Sequence, residues 1–464
     1  MMTGQQPLTA ALARWAHRVT FSDLPRDVVD ATTLRILDVV GLALAGADTP
    51  FGRATRAASV AMSPPGPCRI VGAGERVGVT TAAFANGACA QALEYDDTHN
   101  ESIVHMSSPA VAAALALSET TTVSGRDLIA AIAIGNEVSC RVGSVAPGQF
   151  HRRGFHPTGL FAPFGVTVLA GRLLGLDAVQ MAQAAGICGS FAAGILECWV
   201  DGTHPKFLHP GWAAQSGIAA AHLARQGMTG PAQVLEGRFG LFASHLQATD
   251  AARDFDRVTG GLGERWDSRN SSLKPFPAAH VIHPYLDALL RLRTAHGITP
   301  ADVERIEVPV AAFIVPIVCE PVAEKFAPAS DSHGRVSLQY SLAEALYAGS
   351  LGRHAYSPEN LRNPAILALA RRVQYHVDPA FPGPGRFKGA VRVVLRDGRT
   401  LDEIEAYNRG SAENPMTYAE IRGKFDENAA AFLGPAARER LADQIAHVEQ
   451  LADASVLVGL ACQP

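Results

Sequence analysis

From the start of the chain to about residue 260, apolar residues recur at helical spacing. Segments 32–46, 80–93, 109–119, 126–142, 166–176, 178–195 and 211–226 each read as a helix of ten or more residues. Their faces carry Ala and Gly, which let helix axes approach closely, so a tightly packed bundle is expected. The pattern changes after "SSLKPFPAAHVIHP". Residues 285–296 read as helix, 303–318 as a β-branched strand and 338–349 as helix. Residues 390–406 read as a hairpin turning at Asp397-Gly398. Helical spacing returns over 418–432 and 436–452. The expected class is mainly α: a large all-helical domain from 1–268 and 407–464, with a smaller α+β domain, 269–406, inserted.

Length and composition narrow the function. A chain of 464 residues exceeds what one core fills, so two domains are expected. With 18% charged residues and a net charge of −4, no long-range field would recruit nucleic acid or an anionic membrane. The N-terminal stretch has no basic region followed by an apolar run, so no signal peptide is read there. The longest apolar stretches, 184–196 and 161–176, are too short or are broken by Arg172, so no membrane span is expected. Seven scattered cysteines without a C-x-x-C pair point to free thiols in a reducing cytoplasm.

Histidine gathers with other polar groups beside four predicted helix starts. "LEYDDTHNESIVHMSSPAVAAALALSE" packs Glu94, Asp96, Asp97, His99, Glu101 and His105 ahead of an aliphatic helix. Ser108 reads as its N-cap and Pro109 as its first residue. His105 and the loop 97–101 would then lie beside free helix N–H groups, where an anion is stabilised. "RRGFHPTGLFAPFG" offers His156 and Thr158; "DGTHPKFLHPGW" offers Lys206 and His209; "KPFPAAHVIHP" offers Lys274, His280 and His283 at the seam of the two expected domains. The spacings His280-x-x-His283 and His204-x₄-His209 occur in metal sites, but no H-E-x-x-H signature accompanies them, so no metal is expected. P-loop, dinucleotide and G-x-S-x-G patterns are absent.

These motifs, with "AIAIGNEVSCRVG" and "SLQYSLAEAL", resemble the MmgE/PrpD family over essentially the whole chain. That family groups 2-methylcitrate dehydratases, cis-aconitate decarboxylases and iminodisuccinate epimerases. The resemblance implies that the smaller α+β domain is lid-like, and it implies a homodimer and chemistry on a small anionic polycarboxylate without metal or cofactor. Carried over by position, it implies catalytic roles for His156, Lys206, His105 and Glu94, and substrate contacts from Thr98, His283, Tyr340, His209 and Lys274. Three positions depart from the family pattern: Glu94 replaces the usual Asp, Ala278-Ala279 precede His283, and His204 sits in the lysine loop.

The reactions of that family share removal or replacement of a proton or carboxyl group next to a carboxylate, which needs a base and stabilisation of enolate-like charge. His156 is the first candidate for the proton and Lys206 the second. Dehydration of a 2-methylcitrate-like hydroxy-tricarboxylate leads the expectations. Decarboxylation of cis-aconitate, epimerisation of an imino- or hydroxy-diacid, and a non-catalytic helical scaffold stand as alternatives. Lys206 lies in a Gly/Pro loop, where an exposed solubilising lysine is the alternative to a catalytic one, and its removal, as a surface-loop truncation, should barely change the melting temperature.

Overall fold

The structure is a computed structural model describing residues 6–247, 252–381, 383 and 386–462. Residues 1–5, part of the stretch read for a signal peptide, lie outside the described residues. Helix accounts for 56% of the described residues and strand for 9%, so the class is mainly α. Among the described residues no helix is long and apolar enough to cross a membrane.

The predicted helices form with shifted ends. Those over Arg26–Ala47, Val79–Gln91, Ser107–Ser118, Gly125–Gly143 and His209–Arg225 match the apolar spacing. The 166–176 reading captured only the end of Pro157–Leu173, which starts earlier because Pro157 is pre-set for a first helical position. The 178–195 reading ran too long: the helix Ala178–Cys188 ends before Gly189. The following loop gives its polar backbone to a neighbouring helix start, with Ala193 N–H bound to Gly159 O and Gly194 O accepting His156 N–H. Small residues do set the packing distance. A Cβ on Gly165 would lie 2.1 Å from Gly135 O, so the helices Gly125–Gly143 and Pro157–Leu173 touch backbone to backbone.

Ser108 is not the N-cap of Ser107–Ser118, and no side chain of the preceding residue, Met106, caps that helix. Asp97 does the work instead, its carboxylate accepting Ser107 N–H at 3.2 Å and Ser107 Oγ at 2.6 Å. The single strand read over 303–318 stops at Val310; Pro316 lies in the helical turn Val315–Cys319 that follows.

The sheet runs Val373–Val377, Val303–Val310, Gly389–Leu395, Thr400–Glu405 across its width. Its first pair is parallel, and the other two are antiparallel. Gly398, at φ +88°, turns the predicted hairpin. Buried apolar side chains fall into two main clusters, one from residues up to Leu273 and again after Met416, the other from Phe276 to Leu401. A short antiparallel ladder, Thr98 with Ser272 and His99 with Ser271, ties the acidic loop to the chain where the clusters change over.

Candidate active site

A cavity of about 440 Å³ opens where the two clusters meet, a volume typical of small-ligand sites. Glu94, Thr98, His105, His156, Lys206 and Lys274 all line it.

Glu94 lies just past the helix Val79–Gln91 at φ +54°, a left-handed conformation rare for a residue with a side chain. The surroundings hold it there. Lys274 Nζ donates to Glu94 O at 2.9 Å and to Oε1 at 3.2 Å, and Lys206 Nζ lies 2.5 Å from Oε2. Burial alone would raise the carboxyl's pKa, but Lys206, Lys274 and His105 outweigh it and hold Glu94 well below the carboxylate range. Burial lowers the Lys274 pKa, with Glu94 opposing the shift. Lys424 then fastens the loop, donating to Tyr95 O and Lys274 O while pairing with Asp38 at 2.7 Å. Nothing in the spacing around Lys424 marked it.

The acidic loop divides its labour. Asp96 accepts Ser108 Oγ at 2.7 Å and lies 3.1 Å from His105 Nδ1, while His105 Nε2 lies 3.9 Å from Glu94. Asp97 pairs with Arg35 at 3.4 Å, His99 bonds Ser102, and Glu101 pairs with Arg257. Within this group, Glu94 and His105 reach the cavity.

His156 Nδ1 lies 2.8 Å from His209 Nδ1, so one ring donates and the other accepts. His156 Nε2 is buried and has no partner among the described residues. Burial, then Lys206 and the neighbouring histidines, push its pKa well below the usual value, and burial with Lys206 pushes His209 down to about 4. Both are neutral at pH 7. His209 therefore stands behind His156 instead of lining the cavity.

Besides His209, two expected substrate contacts are corrected. His283 is fully buried outside the cavity, its Nε2 donating to Ala278 O at 3.0 Å, because it opens the helix His283–His296 and turns into the core. Tyr340 is likewise fully buried, its hydroxyl donating to Ala355 O at 3.2 Å. His280, three residues before His283, reaches the cavity instead. Asn408 Nδ2 donates to His280 Nε2 at 2.8 Å, leaving Nδ1 protonated and without a partner among the described residues. The His280-x-x-His283 spacing had offered both rings; the helix start decided which one faces inward. His151 also lines the cavity, pushed down to about 4 by burial, and no motif singled it out. Lys206 is 5% exposed, so the expectation that its removal is a mere surface-loop truncation is corrected too.

The lining also includes apolar side chains, Val281, Phe313, Pro316, Ile317 and Phe387, the last with its ring 4.8 Å from that of His280. Charged and apolar side chains lining one cavity suit an anion of which one part must shed charge. Among the described residues no group of three or more His, Cys, Asp or Glu side chains is arranged to hold a metal ion. All seven cysteines are free thiols.

Comparison with known proteins agrees with the motifs. Residues 10–254 match the MmgE/PrpD N-terminal domain and residues 276–450 the MmgE/PrpD C-terminal domain. The chain is 27% identical to the cis-aconitate decarboxylase-like protein oryM of Aspergillus oryzae, over 99% of this chain and 98% of that protein. It is 27% identical to the cis-aconitate decarboxylase of Aspergillus terreus, over 98% and 95%, and 26% identical to that of Mus musculus, over 98% and 93%. With two family domains spanning nearly all of its length and their motif residues gathered around one cavity, the chain belongs to the MmgE/PrpD family of enzymes.

Proposed function

We propose that the protein is a lyase acting on a small polycarboxylate, and that its reaction is loss of CO₂ from a cis-aconitate-like unsaturated tricarboxylate. One observation carries the reading: the unpartnered His156 Nε2 shares a cavity with the Lys206–Glu94–Lys274 cluster and with apolar side chains. Full-length similarity to proteins named cis-aconitate decarboxylases supports decarboxylation over the dehydration expected first.

Lys206 and Lys274 hold the retained carboxylates and the charge that develops on them. The departing carboxylate lies against Phe313, Ile317 and Phe387, where poor solvation favours its conversion to neutral CO₂. The C–C bond electrons pass into the conjugated carboxylate as an enolate-like charge, which the ammonium groups stabilise. His156 takes up one proton from solvent and passes it to carbon, returning to its neutral form. A trianion and one proton thus become a dianion and CO₂.

A second reading, dehydration of a 2-methylcitrate-like hydroxy-tricarboxylate, is favoured by one feature. His156 Nε2 and His280 Nδ1 are both unpartnered in the cavity wall, and loss of water needs a base and an acid. The homodimer, the cytoplasmic location and turnover that survives chelators belong to the same proposal.

The test is proton NMR in deuterated buffer with cis-aconitate, 2-methylcitrate and citrate. CO₂ loss with one deuterium on carbon supports the first reading, and water loss supports the second. Absence of turnover on all three by folded protein overturns both.

A further inference from the structure

A second cavity, of about 590 Å³, lies against the same loop from another side. Leu93 lines this cavity and Glu94 the catalytic one; His204 lines this cavity and Lys206 the catalytic one. Three arginines stand in its wall, Arg335, Arg353 and Arg362. Its two carboxylates are already engaged: Asp48 pairs with Arg353 at 2.9 Å and Asp331 with His204 at 3.2 Å.

Arg335 is 3% exposed and forms no ion pair among the described residues. Its Nη1 donates to Leu93 O at 2.8 Å and Pro277 O at 3.0 Å, while Nε has no partner among the described residues. Asp331 is within electrostatic reach of Arg335 but spends its hydrogen bond on His204. The guanidinium lies 4.9 Å over the Tyr356 ring. Arg362 is exposed and makes no side-chain hydrogen bond or ion pair among the described residues. A buried guanidinium without a carboxylate is unfavourable unless an anion completes it, and the planar fork suits carboxylate and phosphate alike.

We propose that this cavity binds a small anion presenting a carboxylate or phosphate group to Arg335 and Arg362. The site is independent of the reaction assigned above. Because Arg335 also holds the Leu93 carbonyl, an occupant sits one residue away from Glu94 in the chain.

The test is calorimetric titration of the full chain with inorganic phosphate alone and with succinate alone, in wild type, Lys206→Ala, Arg362→Ala and Arg335→Gln. At least one probe is expected to bind Lys206→Ala as it binds wild type, and to weaken about tenfold or more in Arg362→Ala and in folded Arg335→Gln. The tighter probe tells a phosphate-bearing from a carboxylate-bearing ligand. Should Arg335→Gln fail to fold, the exposed Arg362→Ala decides. Affinity unchanged in Arg362→Ala, affinity lost in Lys206→Ala, or no binding of either probe up to about 10 mM overturns the proposal.

Discussion

Lys206 Nζ sits 2.5 Å from Glu94 Oε2, joining residues 112 positions apart in a contact that is almost wholly buried. An ammonium so placed holds the conformation of Glu94 as well as the charge of the cavity.

Lys206→Ala should therefore lower kcat by about 10²-fold or more, the scale for losing one group that stabilises developing negative charge. It should also lower the melting temperature, since breaking a buried ion pair costs about 3–5 kcal/mol, part of which Lys274 offsets by keeping its own contact with Glu94. Steady-state kinetics and calorimetry on the same preparation check both. An unchanged kcat in folded protein would remove Lys206 from the mechanism.

Gly194 adopts φ +140°, and a Cβ there would lie 3.1 Å from the His209 ring. Its carbonyl accepts the His156 N–H at 3.0 Å. Gly194→Ala strains the backbone and pushes the ring that positions His156, so kcat should fall more than substrate affinity. If KM rises while kcat holds, the His156–His209 contact does not govern the chemical step.

Acid should destabilise the fold between pH 6.5 and about 4. Burial depresses the pKa of His99, to about 4, and of His156, His280 and His283, well below 6.5. Below pH 6.5 the unfolded chain takes up protons that these folded rings refuse, so stability falls as pH falls, by up to about 1.4 kcal/mol per pH unit for each ring. Glu94, held low, contributes stability that is present above 4.5 and is lost only as pH drops through its depressed pKa. Melting temperatures that stay flat from pH 7 to 5 would contradict this burial.

Tyr340→Phe should leave kcat and KM near wild type, because the hydroxyl serves Ala355 O inside the smaller core. Losing that bond should cost about 0.5–1.5 kcal/mol of stability. A kcat loss beyond a few-fold would restore Tyr340 to the site.

Local chemistry determined much of this protein before any long-range contact was considered. Helical spacing and small residues specified the bundle, Asp397-Gly398 the hairpin, and the change of texture near Ser271 the place where one core yields to the other. The motif loops carried Glu94, His105, His156, Lys206 and Lys274, because groups that meet a small anion sit on loops beside helix starts. Tertiary structure alone decided orientation. Whether His280 or His283 faces the cavity depends on where one helix begins, and whether Tyr340 reaches a ligand depends on how a helix rolls onto its neighbours. Periodicity places a residue on a face but not what that face meets. The charge balance was equally non-local: Lys206, Lys274 and Lys424 converge on one loop from three distant segments, and only folding brings Lys206 and Lys274 to Glu94 in a water-poor space, where with His105 they outweigh the cost of burying its carboxylate.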